Sequence, residues 1–181
     1  MYRSTTSLKA QNLAIKGAEV VSADLNDPLS LKAALEDAHT VFAMTSTTLT
    51  GDTREIETAQ AKALCAAAIA AGAQYIIWQT LPPVTAISSR KLCVNHFDTK
   101  ADIEQYIRSL PIKSAFYCPA YFMQNFTNQL MPPRPSPEND GTYVFATLCK
   151  PDTRMPLIDA TEMGNWIALF LNPRINTRGR F

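Results

Sequence analysis

The stretch AQYIIWQT, at residues 73–80, decides the fold class. Its β-branched and aromatic side chains predict a strand. The alanine-rich segment before it, Thr53–Ala71, predicts a helix that ends at Gly72, a residue suited to the position after a helix. A second helical segment, Asn95–Ser109, follows, so the strand lies between two helices along the chain.

The same alternation continues in both directions. Toward the C-terminus, IKSAFYC at 112–118 follows Pro111 and predicts another strand. Toward the N-terminus, Asp27 is a suitable helix cap and Pro28 suits the first helical position. The predicted elements before residue 50 are a helix at Leu8–Lys16 ended by Gly17, a strand at 18–25 (AEVVSADL) buried on both faces, a helix at 27–38 and a strand at 40–45 (TVFAMT).

Strands that alternate with helices predict an α/β fold with right-handed crossovers and a mostly parallel sheet. In such a sheet, ligands bind at the carboxyl ends of the strands. Small polar residues gather at those predicted ends, which fits a cofactor crevice, although turns favour the same residue types. The predicted ends are Asp24-Leu25, Thr45-Ser46, Gln79-Thr80 and Cys118-Pro119.

The pattern changes after Cys118, and we predict a main region at 1–118 and a small C-terminal region at 119–181 that is integral to the same domain. The second region is expected to lie on the substrate side. Its predicted elements are a short aromatic helix at 120–130, a proline-rich loop at 131–141, strands at 142–148 and 155–159, and a closing helix at 161–171.

The composition excludes several classes of protein. With 46% hydrophobic and 18% charged residues among 181, the chain is predicted to be globular. A net charge of +1, with no dense basic cluster apart from the tail at 173–181, argues against direct nucleic-acid binding. No apolar run approaches the ~20 residues of a spanning helix and no signal peptide is recognised, so we expect a cytoplasmic or nuclear protein without a membrane partner.

The four cysteines predict neither a disulfide framework nor a metal site, because no CxxC or ligand-like spacing occurs. Buried or half-buried thiols in a reducing compartment are expected instead. The cysteines are Cys65, Cys93, Cys118 and Cys149.

His96 and Lys100 are four residues apart in a predicted helix, which places both side chains on one face. Two interpretations are open from the residues alone. The two side chains form a working pair at a cofactor, or they are solvated residues at the start of a helix.

From Tyr2 to about Leu171 the chain resembles NmrA-like proteins, an atypical branch of the extended short-chain dehydrogenases. The most specific parts are HFDxK at 96–100, followed by an acidic helix, and P-x-[YF]-F-x-x-N-F at 119–126. The other segments that occur in the family's order are KGAEVVSADLNDPLSLKAAL at 16–35, FAMT at 42–45 and YIIWQTLP at 75–82.

The resemblance implies a Rossmann domain that binds NADP, with NAD as the alternative. Arg3 resembles the arginine that ends the second strand and faces the adenosine 2′-phosphate, for which a planar guanidinium is well suited. Asp24 and Leu25 resemble the pair that contacts the adenine edge. Thr45 resembles the strand-end residue under the nicotinamide-side ribose.

At the nicotinamide end, Lys100 matches the lysine of the dehydrogenase YxxxK motif, which hydrogen-bonds the nicotinamide ribose. His96 occupies the tyrosine place, so the usual proton donor of carbonyl reduction is absent. Tyr121 and Asn125 would line this end, with Asn125 toward the substrate.

The family's serine position falls at Gln79 or Thr80. Of these two residues, Thr80 offers a hydroxyl group. The resemblance therefore implies Lys100, His96 and Thr80 as the candidate catalytic residues.

The family's glycine-rich turn, GxxGxxG, does not occur in the chain. Its glycines let backbone N–H groups and a helix N-terminus approach the pyrophosphate. We therefore expect an N-terminally truncated Rossmann sheet, without the first strand and this turn, and weakened dinucleotide binding. In the strand order 3-2-1-4-5-6, the strand at 18–25 would lie roughly 14 Å from the strand at 40–45. The glycines present are Gly17, Gly51, Gly72, Gly141, Gly164 and Gly179.

Three functional hypotheses follow. The first is an NmrA-type oxidoreductase of small-molecule metabolism, which would have a small-molecule substrate. The second is a non-catalytic NADP-sensing regulator that binds protein partners, which the missing tyrosine favours. The third is an inactive, truncated family member.

Overall fold

A computed structural model of the chain describes residues 1–47, 52–127, 132–145, 149–150 and 152–172. The contacts divide the chain into two compact units, Met1–Cys118 and Pro119–Phe181. The first unit contains the alternating helices and strands. Its described elements are α1 (Leu8–Ile15), α2 (Pro28–Ala34), β1 (Thr40–Ala43), α3 (Thr53–Ala70), β2 (Tyr75–Gln79), α4 (Val84–Ile87), α5 (Asn95–Arg108) and β3 (Lys113–Tyr117).

Short polar side chains begin three of these helices. Ser7, Asp27 and Asp52 each accept a hydrogen bond from a backbone N–H in the first turn that follows. Gly17 after α1 and Gly72 after α3 have φ angles of 90° and 79°, a region that a residue with a β-carbon rarely adopts. The predicted cap at Asp27 and both glycine stops are confirmed.

The strands form a parallel sheet in the order β1-β2-β3. Trp78 in β2 lies opposite Ala43 in β1 and Phe116 in β3. Helices α2, α3 and α5 pack side by side, α3 between the other two. Ile76 and Trp78 join Ile107 of α5 in the buried core. The predicted α/β architecture with a parallel sheet is confirmed.

The strand predicted at 18–25 is wrong. Within the described residues it is reduced to an isolated parallel bridge between Tyr2 and Ser22. The Tyr2 N–H donates to the Val21 oxygen at 3.0 Å, and the Ala23 N–H donates to the Tyr2 oxygen at 3.0 Å. The described sheet ends at β1, so this segment has no neighbouring strand along which a ladder could extend. Both of its valines are half-buried rather than buried on two faces.

The second unit differs from the sequence prediction at its start. Tyr121–Phe122 forms a strand, β4, and a 3-10 turn at Met123–Phe126 follows it, where an aromatic helix was predicted. The reason is pairing: β4 runs parallel to β7, Leu157–Ile158, and exchanges backbone hydrogen bonds with it. Residues 128–131 of the predicted helix and loop lie outside the described residues.

The predicted loop at 131–141 contains half of a hairpin. Arg134–Pro135, β5, pairs antiparallel with β6, Tyr143–Val144. The strand predicted at 142–148 is represented by β6, and its residues 146–148 lie outside the described residues. The closing helix is confirmed as α6, Met163–Leu171, which a 3-10 turn at Ala160–Glu162 precedes.

Across the described ranges, no helix has both the length and the apolar character that crossing a membrane requires.

Candidate functional site

A cavity of about 840 Å³ lies beside β1 in the first unit. One wall comes from β1 and the residues just beyond its carboxyl end, and a second wall comes from the Tyr2–Ser22 bridge region and the turn after it. Helix α3 supplies a third wall and α2 a single leucine. The lining residues are Met1, Tyr2, Arg3, Ala23, Asp24, Leu25, Asn26, Leu31, Phe42, Met44, Ser46, Ile56, Gln60 and Leu64.

A connected set of polar side chains follows the wall of this cavity. Asp24 Oδ1 accepts hydrogen bonds from the Asn26 backbone N–H at 2.9 Å and from its side-chain amide at 3.1 Å. Asn26 Oδ1 in turn accepts from Gln60 Nε2 at 3.1 Å, which ties the turn to α3. The Ser30 hydroxyl accepts from the Asp24 N–H at 3.0 Å and fixes that residue's backbone. The cavity therefore has a preorganised polar side.

Three of the residues predicted for the cofactor line this cavity together: Arg3, Asp24 and Leu25. Arg3 is exposed, and its backbone oxygen accepts a hydrogen bond from the Ser22 hydroxyl at 3.5 Å. Leu25 is half-buried and packs against the hydrophobic core. The structure thus brings a guanidinium, a carboxylate and an apolar side chain to one opening.

The predicted residues Thr45 and Lys100 form a second, buried cluster with Glu57. Lys100 Nζ donates to the Thr45 backbone oxygen at 2.8 Å and to its hydroxyl at 3.1 Å. The Thr45 hydroxyl donates to Glu57 Oε2 at 3.2 Å, and that oxygen lies 3.5 Å from Lys100 Nζ. Thr45 stands between Met44 and Ser46, two lining residues, but Thr45, Glu57 and Lys100 are not among the residues that line the described cavity.

Burial lowers the pKa of Lys100 below its ordinary value, and the negative charge of Glu57 acts in the opposite direction. The Lys100 ammonium also lies 5.7 Å from the centre of the Trp78 ring, a cation–π distance. A cation at 4% residue exposure is therefore compensated by one carboxylate, two oxygens of Thr45 and an aromatic face.

The other two predicted catalytic residues are placed differently. His96 is exposed at the start of α5, and its ring makes an edge contact with Phe97 at 4.8 Å between centroids. Thr80 is buried, and its hydroxyl donates to the backbone oxygens of Lys100 and Leu81, both at 3.4 Å. The pairing of His96 with Lys100 is not formed, because one side chain points to solvent and the other into the core.

Tyr121 and Asn125 belong to the second unit, in β4 and in the 3-10 turn that follows. Both side chains are half-buried, and the Tyr121 ring lies 5.7 Å from the Phe126 ring. Their roles toward a cofactor and a substrate stay predictions.

Sequence reasoning missed Glu57 and Gln60. A signal for Glu57 was present, because it lies on the apolar stripe of α3 with Ala61, Leu64 and Ala68, where a charged residue stands out. Gln60 carries no such signal, since an amide on a partly exposed helix face is ordinary.

The parallel α/β sheet, with a cavity at the carboxyl end of its edge strand, defines a Rossmann-like fold. The chain belongs to the NmrA-like family, whose profile matches residues 1–180. An NmrA-like family domain-containing protein of Dictyostelium discoideum is 26% identical over 180 residues, which is 96% of this chain and 58% of that protein. The NmrA-like family domain-containing oxidoreductase ptmS of Penicillium ochrochloron is 28% identical over 134 residues, 68% of this chain and 38% of that protein.

The fold also matches crystal structures of NmrA, a negative transcriptional regulator. The complex of that protein with NAD superposes with a TM-score of 0.78 at 27% identity, and covers 93% of this chain and 52% of that chain. Its complex with NADP gives a TM-score of 0.77, also at 27% identity and over the same shares of the two chains. The chain therefore spans about half the length of these structures.

Proposed function

We propose that this chain is an NmrA-type protein that binds a nicotinamide dinucleotide, NADP(H) in preference to NAD(H), and acts as an oxidoreductase on a small molecule. The observation that carries the proposal is the cavity lined by Arg3, Asp24 and Leu25 at the carboxyl end of β1. The NAD and NADP complexes of NmrA and the oxidoreductase ptmS support it by family membership.

The cavity suits the adenosine part of such a cofactor. Its volume of about 840 Å³ is within the range of small-molecule sites. Asp24 Oδ1 is used by Asn26, so Oδ2 is the oxygen that would accept from the adenine amino group. Arg3 would hold the 2′-phosphate, because a guanidinium fork matches phosphate oxygens. That contact is the basis for the NADP preference.

The cavity offers fewer contacts to the pyrophosphate of the dinucleotide than to its adenosine part. No glycine is among the residues that line the described cavity, so the glycine-rich turn that would let backbone N–H groups approach the pyrophosphate closely is not represented there. Charge-assisted hydrogen bonds contribute about 1.5–3 kcal/mol each, so losing several weakens binding strongly. We expect a dissociation constant for NADPH well above ~1 μM with this chain.

The bound dinucleotide would supply hydride chemistry. On the protein side, Lys100 would donate a hydrogen bond to the nicotinamide-side ribose from its place beside Thr45. The Thr80 hydroxyl would need to turn away from the Lys100 and Leu81 oxygens to reach a substrate.

A second function is favoured by one observation. His96, which occupies the tyrosine place, is exposed, while the Lys100 side chain is buried away from it. A site without a proton donor beside its lysine suits a dinucleotide-sensing regulator that binds a protein partner.

The test is isothermal titration of the chain with NADPH and with NADH, for the wild type and Arg3→Gln. Lys9→Gln, an exposed change in α1, is the matched control. We expect NADPH to bind more tightly than NADH, and Arg3→Gln to lose about tenfold or more in NADPH affinity with little change for NADH. Equal affinities that Arg3→Gln leaves unchanged would contradict the proposal.

A companion assay separates the two functions. NADPH oxidation is followed by absorbance in the presence of a panel of quinones and small carbonyl compounds. Turnover supports the oxidoreductase, whereas cofactor binding without turnover on the panel supports the regulator.

A further inference from the structure

Glu57 is a carboxylate in a place that physical chemistry disfavours. It is completely buried, on the apolar face of α3, and its Oε1 has no hydrogen-bond partner among the described residues. Removing a carboxylate from water costs several kcal/mol, and an apolar residue of similar volume often stabilises such a site better. A residue kept there against that penalty points to a role in the site.

The contacts of Glu57 lead to Lys100. Glu57 Oε2 accepts from the Thr45 hydroxyl at 3.2 Å and lies 3.5 Å from Lys100 Nζ. The same Thr45 hydroxyl accepts a hydrogen bond from Lys100. Because its proton is directed at the Glu57 carboxylate, the hydroxyl oxygen is oriented to accept from the ammonium. Three elements thereby meet: α3 supplies the carboxylate, α5 the lysine, and the chain beyond β1 the threonine.

The N–H donors of the Lys100 ammonium differ in their hydrogen-bond acceptors. An ammonium has three N–H donors. Thr45 takes two of them, through its carbonyl oxygen at 2.8 Å and its hydroxyl at 3.1 Å. The 3.5 Å separation from Glu57 exceeds an ordinary hydrogen bond, so the carboxylate acts mainly through its charge and leaves the third donor able to turn to a ligand.

We propose that Glu57 is a positioning residue: it holds the Lys100 ammonium charged and directed at Thr45, so that one donor meets a ribose hydroxyl of the bound dinucleotide. The ribose contact rests on the function proposed above, whereas the interaction by which Glu57 positions Lys100 does not. The burial of Lys100, which disfavours its charged form, is what makes a partner carboxylate necessary.

The other charged groups near Lys100 are more remote or better solvated. The Arg54–Asp102 ion pair joins α3 to α5 at the surface, with side chains 60% and 54% exposed. On α5 itself His96 is exposed, and Asp98 is bonded to Thr85 and Val94. Thr45, just beyond β1, and Trp78 in β2 bring neutral groups.

The experiment is NMR titration of the Lys100 ammonium in the full chain labelled with ¹³C,¹⁵N-lysine and free of dinucleotide. Lys100→Arg assigns the signal. In Glu57→Gln the midpoint of the Lys100 titration should fall by about 1 pH unit or more, because the carboxylate charge that favours the protonated lysine is gone. Glu55→Gln, an exposed change on the same helix, should leave the midpoint unchanged. An unchanged midpoint in Glu57→Gln overturns the proposal.

A second variant covers the case in which Glu57→Gln fails to fold. Glu57→Asp keeps the charge but shortens the side chain, so the ammonium should be drawn from Thr45 and NADPH affinity should fall about tenfold, with Glu55→Asp as control. Wild-type affinity in Glu57→Asp contradicts the positioning role. If the wild type binds no NADPH, the proposed function fails. The positioning of Lys100 by Glu57 is then tested by the NMR signal of the Lys100 ammonium in Glu57→Asp, and an unchanged signal would show that Glu57 does not position Lys100.

Discussion

Lys100 Nζ lies 2.8 Å from the backbone oxygen of Thr45 and 3.1 Å from its hydroxyl, which fastens the middle of α5 to the carboxyl end of β1. The ammonium is buried there with one carboxylate, Glu57, as its charge partner. The same contact ties α5 to the chain just beyond the sheet edge. We expect Lys100 to contribute to stability and, through the proposed ribose contact, to dinucleotide binding.

The first prediction concerns this buried pair. Lys100→Met should destabilise the chain by about 3–5 kcal/mol, because it leaves the buried Glu57 carboxylate without its charge partner. The double variant Lys100→Met with Glu57→Leu should regain most of that loss, since no charge then remains in the core. Urea unfolding followed by circular dichroism measures both values.

The matched control is the exposed pair Arg54–Asp102, which joins α3 to α5 with side chains 60% and 54% exposed. Arg54→Met should change the free energy of unfolding by no more than about 0.5–1 kcal/mol. A loss in Lys100→Met as small as in this control would show that the buried pair is not compensated as described.

The second prediction concerns acid stability. Hydrogen bonds from the Thr85 backbone and then its hydroxyl lower the pKa of Asp98 below its ordinary value of 3.8, and Val94 adds a weaker bond. A folded-state pKa below the unfolded value means that this stabilisation is present above about pH 4 and is lost as the pH falls through the folded-state pKa. Asp98→Asn should therefore flatten the acid limb of the stability curve.

The comparison variant is Asp37→Asn, at an exposed turn with φ of 58° that asparagine tolerates. It should keep the wild-type acid limb. The free energy of unfolding, measured by urea unfolding from pH 2 to 7, tests the contribution of Asp98. If it falls in parallel for the wild type and Asp98→Asn as the pH is lowered, Asp98 makes no such contribution.

The third prediction concerns local opening. Ile76–Trp78 lies in the central strand, with ladder partners on both sides, whereas Val20–Ala23 has an isolated bridge to Tyr2. Amide exchange should be slow in Ile76–Trp78 and fast in Val20–Ala23, apart from the bonded Ala23 N–H. Exchange followed by NMR checks this, and strong protection in both segments would contradict it.

The elements that the sequence predicted well are those whose signals are local. The caps at Asp27 and the stops at Gly17 and Gly72 act within one helical turn, and the structure bears them out. The apolar strands 40–45 and 73–80 pair with near neighbours in the chain's own order. For these parts, propensity and tertiary context agree.

The failures have a common physical cause. The segment at 18–25 has strand-like side chains, but a strand needs a partner backbone, and the described sheet ends at β1. In the second unit, Tyr121–Phe122 is a strand because Leu157–Ile158, far away in sequence, pairs with it. In both places the presence or absence of a long-range pairing partner decides the structure, and local preference does not.

In the candidate site, too, some features could be predicted from the sequence and others could not. Arg3, Asp24 and Leu25 line one cavity, because the Tyr2–Ser22 bridge brings their two segments side by side, and their roles toward a cofactor stay predictions. Helical spacing put His96 and Lys100 on one face, but it could not show that one is exposed and the other buried. Glu57 was missed, because its partners come from α5 and β1 rather than from its own helix.

The fourth prediction follows from the exposure of His96. His96→Ala should leave NADPH affinity and any reductase turnover nearly unchanged, since the ring contacts Phe97 and solvent rather than the buried cluster. Lys100→Ala should lower cofactor affinity instead. Steady-state turnover and titration of both variants provide the check, and a hundredfold fall in turnover for His96→Ala alone would identify the histidine as an acid or base.

Titration of NADPH into the ¹⁵N-labelled chain, followed by amide chemical shifts, locates the dinucleotide site residue by residue. We expect the largest shift changes at Arg3, Asp24 and Leu25, with a second group at Thr45 and Ser46. Shift changes confined to residues remote from this cavity, or none at saturating NADPH, would contradict this expectation.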